Sequence, residues 1–96
     1  MPSYIKIEGD ALSRALAALP GWEVVEGKLH RAFKFKDFSE ALGFMARVAL
    51  DVHQLDHHPE WSNVYSRVTI DLVTHFTGGI TDLDVELAGR INKIVG

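Results

Sequence analysis

The sequence predicts an α+β sandwich of three amphipathic helices and about four antiparallel strands, in the order α-β-β-α-β-β-α. Three observations predict it. Three stretches repeat apolar residues at the helical period of about 3.6. The stretches between them alternate apolar and polar residues, as strands do. The breakers Pro20-Gly21, Gly27-Lys28, Pro59 and Gly78-Gly79 fall between these stretches, not inside them. With 96 residues and no repeat or linker, the chain suits one domain, 1–96. Its helices would cover one face of the sheet, leaving the other wet or paired.

"GDALSRALAALPGW" opens as a helix, with Leu12, Leu16 and Leu19 at i, i+4 and i+7 and Ala15 beside them, stopped by Pro20-Gly21. "WEVVEGKLHRAFKF" follows as a hairpin turning at Gly27-Lys28. Leu29, Arg31, Phe33 and Phe35 share one face of its second strand; His30, Ala32 and Lys34 share the other. Arg31 is the odd member of the apolar face, a place for the sheet to meet solvent or a partner. "DFSEALGFMARVALDVHQL" is the clearest helix. Asp37 and Glu40 have capping-box spacing, and Phe38, Leu42, Met45, Ala49 and Val52 step along one face, flanked by Ala41 and Val48. It should fray near Leu55, since Pro59 disfavours helical geometry at His58. "NVYSRVTIDLVTH" is a strand or a bent pair of strands starting at Val64, with Val68, Ile70, Leu72 and Thr74 on one face and His75 at its end. "TDLDVELAGRINKIV" is the last helix, with Thr81 and Asp84 at capping-box spacing and Leu83, Leu87, Ile91 and Ile94 as its stripe.

Composition excludes several classes of function. Hydrophobic residues make up 47% of the chain and charged residues 24%, as in ordinary globular domains. The net charge of −3, with no dense basic stripe, argues against direct nucleic-acid binding. No apolar run approaches the ~20 residues of a membrane span. "MPSYIKIEGD" has neither the apolar core of a signal peptide nor the arginine-rich look of a transit peptide, so a cytoplasmic protein is expected. Without cysteine there are no disulfides, thiol nucleophiles or thiolate metal ligands. A domain this small buries only about 60–65% of its unfolded surface, so self-association would help it.

The groups able to do chemistry fall around one edge. His53 lies near the end of the second helix, His57 and His58 in the loop after it, His75 at the strand end and Asp84 at the start of the last helix. Helix end, loop, strand end and helix start can converge there and form a cleft. Histidines near neutral pKa can both give and take protons. No serine, lysine or Gly-rich phosphate loop offers a competing chemistry. His53 and His57, four apart, could instead clamp a metal with His58, though the glutamate base of a zincin motif is missing. Trp61 and Trp22 belong to the core or wall a flat heteroaromatic ligand by stacking.

The pattern His53-x3-His57-His58-Pro59-x5-Tyr65-x9-His75-x8-Asp84 resembles the signature of the pterin-4a-carbinolamine dehydratases, or 4a-hydroxytetrahydrobiopterin dehydratases. "LPGW", "FKFKDFSEALGFMARV", "HHPEWSNVY" and "THFTGGIT" agree, so the likeness runs from about Leu12 to Ile94. It implies a four-stranded antiparallel sheet with three helices packed on one face. It also implies a hydro-lyase, without metal or cofactor, whose substrate is a pterin. Aromatic amino acid hydroxylases would supply that substrate as a 4a-hydroxy adduct. The resemblance makes His57 and His75 the acid–base pair, with His58 binding and orienting the pterin and assisting. It places Asp84 where it orients or tunes an imidazole, and puts ligand contacts along Asp56–His58 and Val73–Phe76, including Thr74. His53 stands where some members carry glutamate, so a carboxylate that would raise an imidazole pKa is missing there. A homodimer or homotetramer is implied. Two alternatives stand beside this reading: a non-enzymatic module that helps a transcription factor dimerise, and a metal-binding protein.

Overall fold

Seven elements fold in the predicted order, and the computed structural model describes residues 4–95. They are α1 (Gly9–Ala17), β1 (Glu23–Val25), β2 (Lys28–Lys34), α2 (Phe38–Leu55), β3 (Glu60–Val64), β4 (Arg67–Leu72) and α3 (Asp82–Val95). The strands form one antiparallel sheet in the order β1-β2-β4-β3.

Alternation along β2 and β4 sorts the sheet into two faces. The register Leu29↔Leu72, Arg31↔Ile70 and Phe33↔Val68 sets the helix-facing residues of the two strands opposite one another. Leu29, Phe33, Val68, Ile70 and Leu72 are buried against Ala41, Phe44, Val48 and Val52 of α2 and Leu87, Ala88 and Ile91 of α3. Phe44 sits 4.9 Å from the Phe33 ring and 4.8 Å from Phe35. A fully buried side chain of this kind stabilises by about 1.5–3 kcal/mol. Leu12 and Leu16 of α1 pack at the margin of the same core, and Leu19 beyond its end is buried. On the open face, Ala32, Lys34, Ser62, Val64 and Arg67 are exposed, and His30, Thr69 and Asp71 are half-buried.

Four local expectations are corrected. The first hairpin turns at Glu26-Gly27, both at positive φ (51° and 77°), not at Gly27-Lys28; two residues of that hand match the twist of the strands they join. Val64 ends β3 and does not start a strand, because Tyr65 (φ 54°) turns the chain into β4. β4 ends at Leu72, so His75 lies in the turn beyond it, where Thr74 bridges Gly79. In α2 the buried stripe is Ala41-Phe44-Val48-Val52, while Phe38 and Leu42 are about half exposed (50% and 51%) and Ala49 is exposed. The helix is apolar around much of its girth, and the aromatic shelf of Phe33 and Phe35 selects the face that Phe44 presents.

Arg31 has a partner of its own. Its guanidinium caps the core's edge, donating to Asn92 Oδ1 at 2.5 Å and Pro20 O at 3.2 Å and lying 4.5 Å over Phe33. Gly21 (φ 88°) makes room for it, since a Cβ there would come within 2.6 Å of Arg31 Nε. The capping of α2 is as expected on one side: Asp37 accepts from Glu40 N at 2.9 Å. The Glu40 carboxylate reaches back to Lys36 N at 3.0 Å, one residue upstream of the usual partner.

Candidate active site

The end of α2 delivers the first histidine. Asp56 adopts the left-handed conformation (φ 51°, ψ 45°) and stops the helix. The amide of His57 then donates to Val52 O at 3.2 Å, the closure common at helix C-termini. This turn leaves His57 buried at 8% exposure while Asp56 and His58 on either side stay exposed. Pro59 prevents a return to helix, and Glu60 begins β3.

His57 meets a carboxylate that the start of α3 has prepared. Asp84 is fully buried, and its Oδ2 accepts from Thr81 N at 2.8 Å, the reciprocal bond of a capping box. Thr74 donates its hydroxyl to the same oxygen at 3.0 Å and in turn accepts from Thr81 Oγ1 at 2.8 Å. The other oxygen, Oδ1, takes His57 Nε2 at 2.5 Å. A carboxylate accepts only, so Nε2 carries a proton, and in the neutral ring Nδ1 holds the lone pair. Nδ1 makes no hydrogen bond among the described residues. No buried side-chain nitrogen or oxygen among them lacks a partner, so this nitrogen reaches solvent.

Thr74 turns toward the helices; His75 turns the other way. Its Nε2 lies 2.7 Å from Glu60 Oε2 on the open face of β3, and the other oxygen of Glu60 takes Lys28 Nζ at 2.6 Å. Lys28 foremost, then His75, holds the Glu60 carboxyl below its ordinary value of 4.5, and the bond to Glu60 raises the Lys28 amine above 10.5. The segment His57–Glu60 is thus tied to the segment Thr74–His75 at both ends: at one through Asp84, at the other through the His75–Glu60 bond. These two linked segments form a rim that carries His57 and His58 on one segment and His75 on the other, with His57 bonded on the helix side and His75 on the open side.

The remaining candidates are distributed as follows. His58 is solvated, with Asp56 Oδ1 3.8 Å away as its nearest acid. His53 is exposed in the last turn of α2, and among the described residues no three His, Asp or Glu side chains group as metal ligands. Trp61 and Val73 are half-buried near the rim's two segments. Phe76 is 76% exposed and stands edge-on to Tyr4 at 4.6 Å. Trp22 is apart from them. It is buried against Phe33, and its Nε1 donates to Asn92 near the far end of α3 from Asp84. A groove of about 320 Å3 on the open face, lined by Ala32, Lys34, Ser62, Val64, Arg67 and Thr69, shares no residue with the rim and holds no carboxylate or imidazole. Sequence reasoning missed Glu60 and Lys28. The usable signal was alternation about Trp61, which sends Glu60 to the open face beside Lys28 of β2.

Fold and site together define a class: a small α+β sandwich whose sheet end carries histidines backed by carboxylates. Residues 5–94 match the family described as pterin 4 alpha carbinolamine dehydratase. The curated proteins of Brucella ovis and Brucella suis named "Putative pterin-4-alpha-carbinolamine dehydratase" are each 52% identical over 87 residues, covering 88% of this chain and 90% of theirs. A crystal structure of a "transcriptional coactivator/pterin dehydratase" from Brucella melitensis superposes with a TM-score of 0.90 at 48% identity, covering 95% of this chain and 99% of that one. The chain belongs to the pterin-4a-carbinolamine dehydratase family.

Proposed function

We propose that this chain is a hydro-lyase that converts 4a-hydroxytetrahydrobiopterin to quinonoid dihydropterin. The observation that carries the reading is the rim itself: in a member of this family, two imidazoles each give Nε2 to a carboxylate and leave Nδ1 free. The reaction breaks the C4a–O bond, forms the C4a=N5 bond and releases water. One proton must reach the departing hydroxyl and one must leave N5. A protonated imidazole supplies the first and a neutral imidazole takes the second, so the site returns to its starting charge after the two protons re-equilibrate. His57 and His75 are the pair, acting through Nδ1. His58, solvated and free to turn, binds and orients the pterin. Asp84 holds the His57 ring in place, and backbone along Asp56–His58 and Val73–Phe76, with Trp61 and His53 nearby, frames the ligand. Trp22, at the far end of α3, stands outside this set.

The substrate would come from an aromatic amino acid hydroxylase, whose pterin leaves as the 4a-hydroxy adduct, and the product would pass to a reductase in the cytoplasm. The exposed Leu42 and Phe38 on α2 and the unpaired edge of β3 are the surfaces on which a homodimer or homotetramer would form. A second reading rests on the name of the Brucella melitensis structure, which couples pterin dehydratase with transcriptional coactivator. The same exposed face of α2 would then dock a protein partner.

One assay separates them. A hydroxylase generates the 4a-hydroxypterin, and its decay is followed with and without this protein, and again with a chelator present. Decay well above the spontaneous rate, unchanged by chelator, is expected. Decay at the spontaneous rate would remove the enzyme reading and leave the coactivator one; chelator-sensitive turnover would remove the metal-free mechanism.

A further inference from the structure

The acid–base scheme takes from Glu60 only its acceptance of the His75 Nε2 proton and takes nothing from Lys28, yet three strands contribute to fixing one exposed imidazole. His75 sits in a turn outside the sheet, with 73% of its side chain exposed. A side chain so placed has no packing to choose its rotamer. Glu60 is anchored in β3, where its backbone pairs with Asp71 of β4. Its carboxylate is engaged at both oxygens, Oε1 by Lys28 of β2 at 2.6 Å and Oε2 by His75 at 2.7 Å. An exposed Lys–Glu pair adds little to stability, so the triad's consequence is geometric. It holds a carboxylate still, and that carboxylate holds a ring.

We propose that Glu60, clamped by Lys28, is the positioning residue of His75: it accepts the Nε2 proton, fixes the tautomer, and turns Nδ1 to the ligand. His75 thereby acquires in the open what His57 acquires inside the protein. Both rings present the same nitrogen, and each is backed by a different acid. This deepens the dehydratase reading, on which only its kinetic consequences rest; the tautomer is a property of the free protein.

Two measurements test it. Long-range proton–nitrogen NMR of the histidine rings, taken above the pH where they titrate, should show His75 as one tautomer with the proton on Nε2. Glu60→Ala should mix the tautomers, and Glu60→Gln, which keeps an acceptor, should restore much of the preference. In the dehydration assay Glu60→Ala should lower kcat/KM about fivefold, the rate equivalent of one lost hydrogen bond. Lys28→Met should lower it about twofold, and Glu60→Ala should add nothing in a His75→Ala background. Unchanged melting temperatures would exclude a folding defect, and Lys28→Met, which leaves the site residues intact, provides an independent second readout. If wild-type protein shows no turnover, the dehydratase reading fails and the spectra alone decide this one. If Glu60→Ala leaves both the spectra and the rate as in wild type, or costs as much without His75 as with it, Glu60 does not act through His75.

Discussion

His57 meets its carboxylate inside the protein, and His75 meets its own in water. Asp84 is fully buried and accepts from an imidazole, a hydroxyl and a backbone amide. Glu60 is 43% exposed and shares its oxygens between an imidazole and a lysine. The ring is left alike in both cases, with Nε2 on the carboxylate and Nδ1 without a hydrogen bond among the described residues. What differs is what else depends on the pair. Removing a partner from the buried dyad strands polar groups that water cannot reach, whereas solvent can replace either partner of the exposed one. On the proposed reading the first pair serves architecture and chemistry at once, and the second serves chemistry alone.

Asp84→Ala should therefore give the largest effect in the molecule. It leaves the His57 ring nitrogen, the Thr74 hydroxyl and the Thr81 amide without an acceptor, and removes the capping-box bond of α3. Breaking a buried pair of this kind costs about 3–5 kcal/mol, enough to lower the melting temperature by on the order of 15 °C in a domain of this size. Denaturant unfolding measures it, and a loss under about 1 kcal/mol would show that the dyad is not structural.

Alanine variants of the two proposed acid–base histidines come next, and they should part company. His57→Ala and His75→Ala should each lower kcat/KM at least ~10-fold, toward the low end for a general acid or base. Since this elimination also runs unaided, larger factors are not expected. In stability they differ: His57→Ala uncovers the buried Asp84 and should cost about 2–3 kcal/mol, while His75→Ala, at an exposed turn, should stay within ~0.5 kcal/mol of wild type. Equal stability losses would abolish the distinction drawn between the two pairs; equal activity losses with unequal stability would sharpen it.

The same division governs what could be seen in the sequence. Both members of the buried dyad stood out because helix signals mark them, and the resemblance alone joined Asp84 to an imidazole. Asp84 stands at capping-box spacing from Thr81, and His57 follows an apolar stripe that Pro59 must end. The exposed pair did not stand out, because Lys28, Glu60 and His75 belong to β2, β3 and the turn after β4; alternation puts Lys28 and Glu60 on one face but does not say which strands lie near one another. The layer order came from periodicity and survives intact. Periodicity could not choose between the overlapping stripes of α2, where Leu42 and Phe44 are both apolar and only the ring contacts of Phe44 decide. Nor could it separate the two tryptophans: Trp22 is a core residue tied to Asn92, and Trp61 a half-buried neighbour of Glu60.

The smallest effect belongs to the Lys28–Glu60 bond, and its pH dependence has a definite sign. The Glu60 carboxyl is depressed in the folded protein, first by Lys28 and then by His75. A depressed acid stabilises the fold above its unfolded value and ceases to do so as pH falls through its folded one. The contribution should thus be present above the ordinary 4.5 and disappear below it. The Lys28 amine is raised, so its share persists below 10.5 and is lost as pH rises past its folded value. Comparing the melting temperatures of wild type and Lys28→Met across this range should reveal a small gap at neutral pH that closes on the acid side. Salt should narrow the gap further, since both groups are in water and the screening length falls to about 3 Å at 1 M. Asp84→Ala, by contrast, should be nearly insensitive to salt, because its partners are shielded from it. A Lys28→Met gap that ignores both pH and salt would mean that the lysine acts by packing its stem, not by holding Glu60.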